Sequence, residues 1–411
     1  DSSEHCRPAG SYSGGEGGVA RRSSMFAMST SVVAADPLSL LFLGDSTMIN
    51  VNVSNRTRWW GWAEFAMSGI PSRGLSSPLT KAFGGDVGCL RRSCSDALRN
   101  YAMGGAWGCC FMCLKYEFLS TYQVPCCDES GHSCRTNNRY WHGVMDDLLR
   151  GAADFALVQF GQNDAWSPSF KLMKPAIDNE VVVNYVAGLT AMTQQIRSAR
   201  PGKTEPTLIS MVPSPADIRL SSTSSVVVSS AFLFVKAQYQ LSVTEGLPWV
   251  NLWGAVANWY TGNIERDAIR GHPANASRSR MIEAMGYVHT GICGSIVIGY
   301  IAMLLLSNGE VAERSKDQRG LMMGHGISAS KLGKVLSARK AEIAAAYRQA
   351  LALECAYLGG IDKEFWPELC VEDTAGEGIG IMRCNATDNK NRTRKPESDL
   401  GAEQEAAAKP E

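Results

Sequence analysis

The chain has 411 residues, 45% of them hydrophobic and 19% charged, and its 40 basic residues balance 40 acidic ones. That composition belongs to a globular protein rather than a fibrous or disordered one, and the length holds one large domain or two ordinary ones. The even charge leaves no bulk field to attract nucleic acid or an anionic membrane, so neither is an expected partner.

Residues 1–35 are rich in Gly, Ser and Arg and read as a flexible lead-in that buries little. The chain starts at Asp1 without a charged and apolar leader, which fits a secreted chain whose signal peptide has been removed. Leu38 to Leu43 is an uncharged apolar run, the pattern of a strand buried on both faces in a parallel sheet. It stops at Gly44-Asp45-Ser46-Thr47-Met48. A serine just past the carboxyl end of a buried strand sits where open α/β sheets place their chemistry. The segment from Trp59 to Ala66 is expected to begin the first helix, and the Ser46 backbone N–H is expected to stand at a helix start. Trp59, Trp60 and Trp62 either pack that helix on the sheet or present faces on which a sugar ring can stack. Trp62 is read as packing. Trp59 and Trp60, with Trp166 further on, are kept as candidate substrate contacts.

Asn100-Tyr101-Ala102-Met103-Gly104-Gly105 reads as a tight turn, and a cysteine-rich insertion follows over residues 106–138. The insertion has too few aliphatic residues for a core of its own and should be stapled to the main domain. Tyr140 to Gly151 reads as a helix. Asp154 to Phe160 is a second apolar strand, and it ends in Gly161-Gln162-Asn163-Asp164. Asn179 to Arg200 has helical apolar spacing and is stopped by Pro201-Gly202. Thr207 to Val212 is expected to be a strand, Val226 to Val243 a helix, and Pro248 to Trp253 a strand. Val288-His289-Thr290-Gly291 then leads into an apolar helix, Gly291 to Leu306. That run is shorter than the roughly 20 residues a membrane span needs and is read as a core helix. Alternation of this kind specifies a three-layer α/β/α sandwich with a parallel sheet, here over residues 36–308. Residues 309–384 read as a mainly helical appendage with one helix centred on Ala338 to Ala356, and 385–411 as a disordered tail. The glycines from Gly376 to Gly380 lack the spacing and the preceding strand of a dinucleotide loop.

Eight of the 13 cysteines lie between Cys89 and Cys134. Two readings stand for that cluster: disulfides, or a zinc site using Cys110 and Cys113 with Cys126, Cys127 or Cys134. The spacing fits no common zinc module. Asn-x-Ser/Thr sequons begin at Asn52, Asn55, Asn275, Asn385 and Asn391. Cysteines and sequons together favour an oxidising, secretory setting, hence disulfides and glycosylation rather than a metal. Cys355, Cys370 and Cys384 are placed to pin the appendage.

Serine, glycine, asparagine and histidine in this order, each at the end of an element, resemble the SGNH (GDSL-type) hydrolases. The Gly44 to Met48 block, Gly61 to Glu64, and the strand ending in Gly161 to Asp164 are similar to the rhamnogalacturonan acetylesterase branch. The resemblance covers about Asp36 to Asn308. It implies Ser46 as nucleophile and His289 as the base that takes its proton and returns it to the leaving alcohol. It implies an oxyanion hole made of the Ser46 and Gly105 backbone N–H groups and the Asn163 side-chain amide. Taken singly, each has a plainer reading: Ser46 as a helix cap, Gly105 as a turn residue, Asn163 as a loop brace, His289 as a structural histidine.

One position departs from that pattern. The acid usual three residues before the histidine is replaced by Gly286, and Glu283 is the nearest upstream carboxylate. The chain is then a Ser–His dyad enzyme, a triad with Glu283 as a displaced acid, or a domain whose catalysis has decayed. Two functions follow. One is a secreted esterase that removes acetyl groups from an extracellular or cell-wall polysaccharide. The other is a non-catalytic glycoprotein that binds glycan or joins an extracellular assembly. Neither calls for a cofactor.

Overall fold

The computed structural model describes residues 39–52, 58–83, 98–100, 153–166, 179–199, 201–213, 219–220, 226–227, 231–269, 279, 289–317 and 319–355. The first apolar run forms β1, Leu40–Gly44, with every residue buried. Val51–Asn52 (β2) and Arg58–Trp59 (β3) follow as a short antiparallel hairpin. Leu98–Asn100 is β4. The second apolar run forms β5, Phe155–Gln159, again buried throughout. Glu205–Ile209 is β6, and Arg219–Leu220 (β7) pairs with Val226–Val227 (β8). Trp249–Val250 is β9 and Gly324–His325 is β10.

Six strands make one sheet in the order β10-β9-β6-β5-β1-β4. Pairing is parallel from β4 through β9, while β10 lies antiparallel on β9. Central strands buried on both faces need helices on both faces. One helical layer gathers around Ile292–Ser307, which touches Trp62–Ser68, Leu252–Ile269, Lys331–Ala338 and Lys340–Glu354. In the other, Glu180–Ala199 packs on β6 and on Phe232–Glu245. The result is a three-layer α/β/α sandwich. Every residue from Cys293 to Ser307 is buried, so the apolar run is a core helix. Among the described residues no helix is long and apolar enough to cross a membrane.

Several expectations need correction. No helix starts at Ser46. Residues 45–48 form a turn closed by the Met48 N–H on Asp45 O at 3.2 Å, and the first helix begins at Trp62, inside the expected Trp59 to Ala66 segment. The helix expected from Val226 starts instead at Phe232, because the β-branched Val226–Val227 pairs with Arg219–Leu220. The strand expected to reach Trp253 stops at Val250. There Asn251 Oδ1 accepts from Gly254 N at 2.8 Å and caps the helix that begins at Leu252.

β6 runs Glu205–Ile209 rather than from Thr207, and it accommodates Pro206 because β9 is paired only with Leu208 and Ile209. The parallel sheet carries an antiparallel edge strand, β10, because Asn251 N donates to Met323 O at 2.8 Å and draws that segment alongside β9. Residues 309–355, set apart by sequence as an appendage, supply β10 and three helices to the same core. A Cys293–Cys355 disulfide (Cα–Cα 5.3 Å) joins the start of the apolar helix to the end of the last one. The insertion at 106–138, the helix expected at Tyr140 to Gly151 and the tail beyond residue 355 lie outside the described residues.

Candidate active site

With β2 and β3 set aside as a separate hairpin, the parallel strands in chain order are β1, β4, β5, β6 and β9. Their spatial order reverses direction between β1 and β5, since β4 lies on one side of β1 and all later strands on the other. In an open α/β sheet, ligands bind outside the carboxyl ends of the strands at that reversal. The chain leaves β1 into Asp45-Ser46-Thr47 and leaves β5 into Phe160-Gly161-Gln162-Asn163. The register pairs Gly44 with Gln159, so the two strands end level. Ser46 and Asn163 therefore leave the same sheet edge from adjacent strands.

The third element arrives by a different route. Trp60 N donates to Thr290 O at 3.0 Å, and the Thr290 hydroxyl donates to Trp60 O at 2.5 Å. Two residues on, Trp62 N donates to Thr47 O at 3.2 Å. His289 is thus tied, one residue from its anchor, to the segment bonded to the Ser46 turn. It stands immediately before the N-terminus of the apolar helix, whose Gly291 cap is extended. Ser46 is buried, while Asn163 and His289 are partly exposed.

The turn around Ser46 is pinned from beneath. Asp45 Oδ1 accepts from the Thr47 N–H at 2.9 Å and from the Thr47 hydroxyl at 2.7 Å. The Thr47 hydroxyl accepts from Gln159 Nε2 at 2.6 Å, and Gln159 Oε1 accepts from the Trp62 indole N–H at 2.8 Å. Burial pushes the Asp45 carboxyl up from the ordinary 3.8 to about 6, against the pull of the bonds from Thr47 and the Gln162 backbone. Tyr185, whose hydroxyl donates to Phe160 O at 3.1 Å, is pushed well above its ordinary value by burial and by the charges of Asp164 and Asp45. Burial lowers His289, which favours the neutral imidazole.

Two glycines are dictated by this packing. A side chain on Gly44 would put its Cβ 2.5 Å from Gln159 O. Gly161 has φ +118°, a conformation open to glycine, and a Cβ there would meet Met211 Cε at 2.9 Å.

The remaining candidates divide. Trp62 is fully buried, its ring T-shaped to Phe42 with centroids 5.9 Å apart, and is a packing residue. Trp60 is partly buried against the core. Trp59 and Asn52 lie in the β2–β3 hairpin and Trp166 ends the Gln162–Trp166 helix, but their side chains are outside the described set. Gly105, Glu283, Gly286 and the sequons at Asn55, Asn275, Asn385 and Asn391 lie outside the described residues. Among the described residues no cluster of metal-ligating side chains occurs. Sequence reading missed Thr47, Gln159, Asp164 and Tyr185. The available signal was Gln159 itself, a polar residue closing an apolar run.

No protein-family model and no curated protein sequence matches the chain. Among solved structures it is similar to the YxiM protein of Bacillus subtilis, at 14% identity and TM-score 0.38 over 67% of this chain; it spans only 58% of that one. It is also similar to a candidate GDSL-like lipase from Parabacteroides merdae, at 14% identity and TM-score 0.36 over 65% of this chain and 94% of that one. Axe2, an acetylxylan esterase from Geobacillus stearothermophilus, matches at 12% identity and TM-score 0.35 over 65% of this chain and 92% of its own. The fold assignment rests on strand order, register and burial.

Proposed function

We propose that the chain is a serine ester hydrolase of the SGNH (GDSL-type) family, acting on acetyl groups of an extracellular polysaccharide. The observation that carries this reading is the level ending of β1 and β5, with Ser46 and Asn163 leaving at the strand-order reversal. The Trp60–Thr290 pair, which ties the His289 segment to the Ser46 turn, supports it.

In the proposed mechanism His289 takes the Ser46 hydroxyl proton as Ser46 Oγ attacks the ester carbonyl. The Asn163 amide and the backbone N–H groups of Ser46 and Gly105 hold the oxyanion. Collapse of the adduct expels the sugar alcohol, which takes the proton from His289 and leaves an acetyl group on Ser46. Water, deprotonated by His289, then attacks that acyl group; the acyl–Oγ bond breaks, His289 returns the proton to Ser46 Oγ, and acetate leaves. Glu283 is the candidate to orient His289, and Trp59, Trp60 and Trp166 are candidates for contact with the sugar. Secretion, disulfides across the cysteine-rich insertion, and glycosylation at the sequons belong to the same proposal.

Gly286 in place of the usual acid keeps the second reading in play, a glycan-binding protein without catalysis. The test is hydrolysis of p-nitrophenyl acetate and of acetylated polysaccharides. Turnover by the wild type that is lost in Ser46→Ala supports the esterase. Equal inactivity of the two proteins, with glycan binding retained in both, supports the binding protein.

A further inference from the structure

Gln159 has no role in the mechanism above, yet its side chain joins the Ser46 turn to Trp62, whose segment pairs with Thr290 beside His289. It is fully buried at the end of β5, the strand that leads to Asn163. Its amide cannot flip without losing a bond. An indole N–H only donates, so the oxygen must face Trp62, at 2.8 Å. The nitrogen then donates to Thr47 Oγ1 at 2.6 Å. A hydroxyl that accepts from Gln159 has its single proton left for Asp45 Oδ1, at 2.7 Å. One directed chain, Trp62 to Gln159 to Thr47 to Asp45, therefore fixes the two residues flanking Ser46. Trp62 is also bonded through its backbone to Thr47, and Trp60, two residues before it, carries the pairing to Thr290, next to His289.

The geometry points to Gln159 as a positioning residue that holds the Ser46 turn, the His289 segment and the strand to Asn163 in one mutual arrangement, an inference that rests on the esterase reading. It touches no reacting atom. Its effect should fall on kcat rather than KM, because misplacing a nucleophile by about 1 Å costs about 10²-fold.

Two variants test this. Gln159→Leu removes both bonds and keeps an apolar fill. Gln159→Glu is nearly isosteric and makes the role titratable. When protonated, the introduced carboxyl accepts from Trp62 and donates to Thr47 as the amide does. When ionised it can only accept, and Thr47 must turn its proton away from Asp45. Burial raises the pKa of such a carboxyl, and so does the negative charge of Asp45, reached through Thr47. Tyr185 stays neutral nearby, and His289 sets the wild-type limb.

The expected result is a kcat on p-nitrophenyl acetate about 10²-fold lower for Gln159→Leu with KM within about threefold. For Gln159→Glu, kcat should fall as pH rises, opposite to wild type. Deuterium exchange over Asp45–Met48 should quicken about tenfold in Gln159→Leu, losing about one hydrogen bond's worth of protection. A residue that merely stabilised the fold would lower the melting temperature and leave kcat, the pH limb and local exchange of the folded protein unmoved; that outcome overturns the proposal. If Gln159→Leu does not fold, the pH limb of Gln159→Glu decides. If the wild type has no esterase activity, the function proposal fails separately, and exchange over Asp45–Met48 still decides whether Gln159 anchors the turn.

Discussion

At the scale of single residues, the buried carboxyl of Asp45 makes a definite demand on stability. The fold raises its pKa, so between 3.8 and about 6 the native state keeps a proton that the unfolded chain has released. Its contribution is therefore favourable below that window and is lost as pH rises through it, by about 3 kcal/mol in all. In urea unfolding across that range, Asp45→Asn should show a shallower fall in stability with rising pH than wild type; parallel curves would mean the carboxyl is not buried as described. His289 has the opposite sign. Burial lowers its pKa, so the active neutral ring persists to lower pH, and kcat/KM should rise with pH through a midpoint below the ordinary 6.5. A midpoint above that value would reveal a carboxylate beside the ring. Gly44→Ala should cost about 1–3 kcal/mol, or prevent folding, since its Cβ would strike backbone. That Ser46 and Asn163 follow the ends of β1 and β5 was legible, because each buried apolar run stops at a short polar block. Gln159 was not, because its meaning depends on standing opposite Gly44, a register that no local pattern encodes.

Among elements, β1, β5 and the apolar helix were legible from their composition, since a run without charge can only be buried. The short elements were not. β9 and β10 have two residues each, and their pairing is decided by Asn251, which caps one helix and bonds Asp317 Oδ2 at 2.9 Å. The ends of the last helical layer give two checks. The disulfide closes a loop with sequence separation 62, so Cys293→Ser with Cys355→Ser should cost about 4 kcal/mol if chain entropy dominates. A loss under about 1 kcal/mol would mean the helices hold without it. The Tyr347 hydroxyl is buried with no hydrogen-bond partner among the described residues, while its ring packs on Phe65 and Tyr300. Tyr347→Phe keeps the ring and removes the orphan, so it should be neutral or stabilising by up to about 1 kcal/mol in thermal unfolding. A loss of that size would point to a water on the hydroxyl.

For the whole molecule, the sandwich could be anticipated from alternating strands and helices. The integration of residues 309–355 could not, because the Cys293–Cys355 link and the β9–β10 pairing join segments far apart in sequence. What the arrangement does as a whole is bring three distant segments, led by Ser46, Asn163 and His289, to one edge of the sheet. The proposed esterase activity requires Ser46 to be an activated nucleophile there. The most direct measurement is reaction of the folded protein with a fluorophosphonate, followed by peptide mass spectrometry. A single covalent adduct is expected on Ser46, formed faster as pH rises through the His289 midpoint and absent in His289→Ala. An unmodified Ser46, or labelling no faster than that of other serines and unchanged in His289→Ala, would contradict it.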